Sequence, residues 1–321
     1  MKTTALFGPV QNDLPTVEAR LQAVAGTDYP LLAELLGQVL QTSGKRVRPA
    51  LTLLAGRPYC YDLDLLVPMA AAVELLHTAT LVHDDTVDNA RTRRGTPTVN
   101  SVWSNGAAVL LGDYLFAQSA VLTASTNNLR VMTIFAETLM VICKGEVREV
   151  FAAGDPGQSI DDYYARIDGK TASLLAMACH VGAILGGAPE ADVNALRGYG
   201  YHLGMAFQIV DDILDFIGNE HELGKPVGND LRQGTMTLPT LLALKRSPAA
   251  NPISDLLAFG VTDAAVSRAV AAVRDSGAID EAYATALDFA DIARASLALL
   301  AESEARITLE GLAEYVVRRR V

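Results

Sequence analysis

Six aspartates in two matching clusters carry the chemistry open to this 321-residue chain. The first cluster, Asp84, Asp85 and Asp88, closes an apolar helical run that begins near Glu74. If the helix continues through it, Asp84 and Asp88 stand one turn apart on one face, with Asp85 beside them. Carboxylates so close repel one another and need a cation or several donors nearby. Oxygen-only ligands on a rigid helix, with room left for water, suit Mg²⁺ held jointly with substrate phosphates. Arg93 and Arg94 follow at once, and guanidinium forks match phosphate oxygens. The plain alternative is a solvated acidic helix end followed by a basic loop. A second cluster, Asp211, Asp212 and Asp215, closes another apolar run, Phe207-Gln-Ile-Val210. A solvated face is not expected at the end of two such runs. Metal–diphosphate chemistry is.

Other cations fit the same purpose. Gly44-Lys-Arg-Val-Arg-Pro49 places Lys45, Arg46 and Arg48 on a turn ahead of an apolar helix, Ala50–Leu54, where backbone amides and cations make an anion site. Lys170-Thr171 and Lys225 add further donors. His83, next to the first cluster, reads as a structural donor rather than a base.

Bulk properties narrow the field. Half the residues are hydrophobic and 20% are charged, enough to bury a large core. The net charge of -11 argues against nucleic acid and anionic membranes as partners. An acidic protein with an anionic substrate needs its own counter-charge, which bound metal supplies. Cys60, Cys143 and Cys179 lack metal-ligand spacing and sit in apolar helical contexts, so buried free thiols in a reducing cytoplasm are expected. Met1–Phe7 has no long apolar core, so no signal peptide is indicated. Asp113 interrupts Ala107–Ala124, and Glu74 with His77 interrupts Pro68–Val82, so a soluble protein is expected.

The periodicity is helical nearly throughout, and no alternating run insists on a sheet. Helices are expected over Pro15–Ala25 and Pro30–Gln41, then from Pro68 as first residue of the first acidic helix. Others cover Ala107–Thr126 and Leu129–Ala153, and one starts at the capping box Ser159–Asp162 and stops at Gly186-Gly187. The second acidic helix should span Ala191–Ile217. A glycine-rich loop, Gly218–Gly234, Leu238–Lys245 and three more helices complete the chain. No linker divides it, so residues 1–321 read as a single all-α domain, with both acidic helices packed in one bundle around a shared site.

From about Gly44 to Thr240 the order of motifs resembles the trans-prenyltransferases, or polyprenyl diphosphate synthases, above all their medium- and long-chain members. The likeness rests on Gly-Lys-Arg-x-Arg-Pro, the first aspartate motif with its Arg-Arg-Gly, Lys-Thr, and Gln208 ahead of the second aspartate motif. It implies a helical bundle of the isoprenoid synthase type around a deep apolar cavity, assembled as a homodimer in the cytoplasm. It implies Mg²⁺ on Asp84, Asp88 and Asp211, with Asp85, Asp212 and Asp215 completing the clusters. Arg93, Lys170, Thr171, Gln208 and Lys225 would hold the allylic diphosphate (dimethylallyl, geranyl or farnesyl). Lys45, Arg48, His77 and Arg94 would hold isopentenyl diphosphate, with Arg46 counted among the substrate-binding cations of the same turn. The product would pass on toward a membrane.

Two features depart from the family pattern. Gly234-Thr235-Met236-Thr237 lacks the lysine that many members carry there. Arg318-Arg319-Arg320 resembles basic tails that fold over the site, although an exposed helix end matched to the helix dipole is the favoured reading. A terpene cyclase would carry a different second metal motif and more aromatic residues. A non-catalytic partner subunit of a heteromeric synthase would be expected to lose an aspartate cluster. A short-chain farnesyl or geranylgeranyl diphosphate synthase stays open, because product length rests on one helix face. One turn below Asp84 are Ala79 and Thr80, then Leu76, Val73, Ala72 and Met69, none aromatic. Each turn rises about 5.4 Å, so an open face there favours products of roughly thirty to fifty carbons.

Overall fold

The computed structural model describes residues 6–41, 44–93, 95–152, 154–155, 157–218, 226–247 and 251–319. Among them the protein is helical almost throughout. The only strands are the two-residue pair Thr92–Arg93 and Thr96–Pro97, antiparallel about Gly95. The described residues form two compact units. The first holds 1–138, 174–200 and 297–309, the second 139–173, 201–296 and 310–321.

The first unit is built on the first acidic helix, Leu63–Val87. It starts five residues before the expected Pro68, because Asp62 caps it by accepting the Asp64 N–H at 2.9 Å. Leu66 and Met69 are buried on either side of the proline, and that burial carries the helix through it. The helix packs most extensively on Asn105–Ala124, whose N-cap Ser104 accepts from Ala107 N at 3.1 Å. By length and composition both helices could cross a membrane. That corrects the expectation that charges at Glu74, His77 and Asp113 would rule it out. The two pack on each other, and protein covers 67% of the apolar window of the first and 39% of that of the second.

The basic turn is also shorter than expected. The helix after it runs Val47–Gly56, so Arg48 is a helical residue, not a turn residue. The turn is made instead by Arg46, in the left-handed region at φ 51°.

The second unit contains the capping box as read: Ser159 and Asp162 exchange hydrogen bonds at the start of Ile160–Ile167. That helix then widens into one π turn, Asp168–Ala172, before Ser173–Leu185. Single π turns of this kind concentrate at functional sites. The second acidic helix covers Glu190–Ile217, its residues from Tyr201 onward lying in this unit. Leu238–Arg246 packs on Ala278–Ser296, whose buried stripe of Ala282, Ala286, Ala290 and Ala293 permits close approach.

The thiols are not all buried. Cys179 is, but Cys60 lies exposed in the loop after Val47–Gly56, and Cys143 points outward from Leu129–Ala152. An apolar neighbourhood in sequence does not settle which face of a helix is covered.

Candidate functional site

In the first unit the acidic cluster divides by exposure. Asp84 and Asp88 keep accessible carboxylates, while Asp85 turns inward. Arg93, on the short hairpin, donates from Nε to Asp85 Oδ1 at 2.8 Å. Burial pushes the Asp85 carboxyl above its ordinary range, and Arg93 pulls part of that back. Asp85 thus fixes the arginine beside the two open carboxylates. Asn100 Nδ2 donates to the Asp85 carbonyl at 3.2 Å and ties the next helix to the same turn.

His83 behaves as the structural donor expected of it. Its Nε2 lies 3.1 Å from the Val109 carbonyl, which can only accept, so that nitrogen carries the proton. The ring meets Phe116 edge-on at 5.2 Å and packs against Gly112, where a Cβ would stand 2.1 Å from Nε2.

Among the basic residues of this unit, Lys45 is exposed, and Arg48 and His77 are half-buried. Arg46 is committed elsewhere. Its guanidinium lies 2.9 Å from both Glu18 and Glu74, and Glu74 is buried. Burial works against that charge, but the two glutamates more than offset it and hold the pKa above the ordinary value. Arg46 therefore shapes the turn, rather than facing a ligand as the sequence suggested.

The face below Asp84 divides too. Thr80 retains accessible surface, but Ala79, Leu76, Val73, Ala72 and Met69 are all 0% exposed. A residue bordering a passage wide enough for an isoprenoid tail would keep some. Thr80 and, a turn further on, His77 keep partly accessible surface instead.

In the second unit one hydrogen-bonded chain links three elements. Thr171 Oγ1 donates to Gln208 Oε1 at 2.6 Å, Gln208 Nε2 to Asp212 Oδ1 at 2.8 Å, and Tyr163 Oη to Asp212 Oδ2 at 2.7 Å. Asp212 is buried, and its pKa is pushed up to about 8, chiefly by burial and then by Asp230, against the pull of Gln208 and Tyr163. Asp215 is fully buried and accepts from Asp230 N at 3.1 Å, joining the cluster to the Asn229–Arg232 turn. Asp211 alone of the three stays open, its side chain 51% exposed.

Lys170 sits on the π turn with Glu149 Oε2 at 2.5 Å and Glu146 Oε2 at 3.8 Å. The close approach is set by Gly169 against Gly145: a Cβ on Gly169 would stand 2.7 Å from Gly145 Cα. Arg319 corrects the reading of an exposed tail. Arg318 does point outward, paired with Glu314 at 2.6 Å, but Arg319 is 14% exposed and reaches Asp211 at 3.1 Å. Arg94 and Lys225, both expected to bind diphosphate, lie outside the described residues, as does Arg320.

The accessible donors Asp84, Asp88 and Asp211 are hard oxygens and fit Mg²⁺. Among the described residues no three His, Cys, Asp or Glu side chains converge as a ready-made cage. Sequence reasoning missed Tyr163, Glu149 and the role of Arg319. Only Tyr163 left a local signal, on the apolar face of a helix with a recognisable cap.

Residues 29–273 match the sequence profile of a family described as polyprenyl synthetase. The chain is 42% identical over 321 residues to heptaprenyl diphosphate synthase component 2 of Geobacillus stearothermophilus, covering 99% of each. It superposes on a decaprenyl diphosphate synthase from Rhodobacter capsulatus with a TM-score of 0.93 at 40% identity, over 99% of each chain. A polyprenyl synthase from Caulobacter crescentus, complexed with calcium and isoprenyl diphosphate, gives 0.94 at 37% identity, covering 100% of this chain and 98% of that one.

Proposed function

This chain belongs to the polyprenyl synthetase family and is a prenyltransferase of the all-α isoprenoid synthase type; on that premise we propose that it condenses isopentenyl diphosphate with an allylic diphosphate, depending on Mg²⁺, to give an all-trans polyprenyl diphosphate of medium to long chain, a length supported by its likeness to a heptaprenyl and a decaprenyl diphosphate synthase. The observation that carries the reading is the exposure pattern of the six aspartates. Asp84, Asp88 and Asp211 keep accessible side chains, while Asp85 and Asp212 are buried against their donors.

Bound Mg²⁺ would withdraw charge from the allylic diphosphate so that it can leave. Asp84, Asp88 and Asp211 would hold it, and the reaction needs both clusters. Arg93, Lys170, Thr171 and Gln208 orient the allylic diphosphate, and Lys225 joins them. Lys45, Arg48, His77 and Arg94 hold isopentenyl diphosphate, whose own diphosphate never leaves. The allylic C–O bond breaks, the double bond of isopentenyl diphosphate attacks the cation, and one proton is lost to the departed diphosphate. The protein positions and stabilises charge and supplies no covalent nucleophile.

We place the enzyme in the cytoplasm as a homodimer and a single catalytic domain; the family match spans both compact units. The exposed apolar residues Leu129, Met140, Val147 and Phe151, at helical spacing on one helix, support an association surface. The Geobacillus relative is named as one component of a synthase, which favours a second reading: the same surface takes a different subunit. Both aspartate clusters speak against a non-catalytic role. Incubating the purified chain with Mg²⁺, isopentenyl diphosphate and each allylic starter, then sizing the products, tests the proposal. Activity only on addition of a second polypeptide would favour the heteromeric reading, and no condensation under either condition would refute the function.

A further inference from the structure

The sequence puts Arg319 in a solvated tail, but the structure builds it into the second acidic cluster. Helix Glu304–Arg318 ends one residue earlier, and the Arg319 N–H still donates to the Tyr315 carbonyl at 3.0 Å. The Arg319 guanidinium lies over the Phe207 ring, 3.9 Å from its centroid. Its Nη2 donates to the Phe207 carbonyl at 2.9 Å and to Asp211 Oδ1 at 3.1 Å. Phe207 and Asp211 are one helical turn apart, so a single side chain spans the turn that leads into the cluster.

The three aspartates are balanced in different ways. Asp212 takes neutral donors from Tyr163 and Gln208, and Asp215 takes a backbone N–H from Asp230. Asp211 is held by a full positive charge while half its side chain stays accessible. Buried Asp212 has both oxygens satisfied by neutral donors, whereas accessible Asp211 is met by the Arg319 guanidinium.

We propose that Arg319 is a built-in counter-ion for Asp211, a positioning residue that a divalent cation must displace before Asp211 can serve the diphosphate. The inference rests on reading Asp211 as a metal ligand. A guanidinium and a divalent cation on one carboxylate repel each other, so metal entry requires Arg319 to leave Oδ1. Its contacts with the Phe207 ring and carbonyl allow it to pivot without releasing the helix. With no metal bound, the arginine removes the charge penalty of an open acidic cluster. It also raises the metal concentration at which the site fills.

The test is titration of the full-length protein with Mn²⁺ in place of Mg²⁺, following free Mn²⁺ by electron paramagnetic resonance. Arg319→Gln should fill at roughly fivefold lower Mn²⁺, the scale of a half-exposed ion pair. Arg319→Lys keeps the charge and should fill like the parent. The gain should vanish in an Asp211→Asn background. Arg319→Met, which keeps an apolar contact with the ring, gives the same comparison if the Gln variant does not fold. Unchanged or weaker Mn²⁺ binding in the neutral variants overturns the proposal, as does a gain that persists without the Asp211 charge. An anchor with a purely structural role would lower stability and leave Mn²⁺ binding unimproved. Failure to form any prenyl product would count against the proposed reaction and leave this titration as it stands.

Discussion

Tyr163 donates its hydroxyl to Asp212 at 2.7 Å across 49 residues of sequence, and both groups are buried. The pair explains how a second aspartate can sit beside Asp211 inside the protein. Tyr163 and Gln208 together satisfy both carboxylate oxygens. Arg166 lies over the Tyr163 ring at 5.4 Å and donates to the Met236 carbonyl at 2.6 Å, so the tyrosine is itself held in place.

Tyr163→Phe should therefore destabilise the protein by about 1–3 kcal/mol, because a buried carboxylate oxygen loses its donor without gaining another. Urea unfolding measures this directly. A change below a few tenths of a kcal/mol would show that the hydroxyl is dispensable.

How far the site could be read in advance follows the range of the contacts. The two aspartate clusters, Lys170-Thr171 and the Ser159 cap are local patterns, so sequence spacing revealed them. Which aspartate faces inward depends on Arg93, Tyr163 and Gln208, and Tyr163 lies 49 residues from its partner, beyond the reach of any local pattern. Pro68 is a local start signal that the burial of Leu66 and Met69 on either side overrides, so the helix runs through it. Arg46 and Arg48 are indistinguishable in sequence. They separate only when Glu18 and Glu74, both 28 residues from Arg46, claim one of them.

That separation is testable. Arg46→Ala strands the buried Glu74 charge and should cost about 3–5 kcal/mol, seen as a lower unfolding midpoint. Arg48→Ala should raise the Michaelis constant for isopentenyl diphosphate well above any change for the allylic substrate. The opposite ordering of the two constants would exchange the substrate sites.

Turnover should depend on a divalent cation and on both acidic clusters. Asp84→Ala and Asp211→Ala should each lose roughly a thousandfold in kcat, the scale of several kcal/mol of charge stabilisation. Circular dichroism should stay unchanged, since both side chains are accessible. Near-parental turnover in either variant with Mg²⁺ present would remove that cluster from the mechanism.

Acid sensitivity should trace in part to His180. Burial first, then Arg197 and Arg130, lower its pKa to about 4, against a weaker opposite pull from Glu190. The folded protein holds it neutral, whereas the unfolded chain takes up a proton near pH 6.5. The unfolded state thus binds more protons in this window, and stability is lost as pH falls from about 6.5 toward 4. Melting temperatures of His180→Gln should fall less across that range than those of the parent. Parallel curves would show that the histidine is not a source of the loss.

Product length brings the open and closed helix faces into direct opposition. Ala79 and Thr80 both stand about one turn below Asp84, and either is an obvious place for a bulky stop. The structure separates them. Ala79 is 0% exposed, so a tyrosine there has no space to enter and should cost at least about 1–3 kcal/mol through overpacking. Thr80 is partly accessible, and its hydroxyl is turned back to the His77 carbonyl at 2.8 Å. Thr80→Tyr therefore puts its ring into open space at modest cost. It should melt close to the parent and shorten the dominant product to about fifteen or twenty carbons, because each turn of helix matches about one isoprene unit. Product sizing alongside thermal unfolding of both variants decides between the faces. A folded Ala79→Tyr enzyme with short products, beside a Thr80→Tyr enzyme with parental ones, would put the growing tail along the Ala79 face.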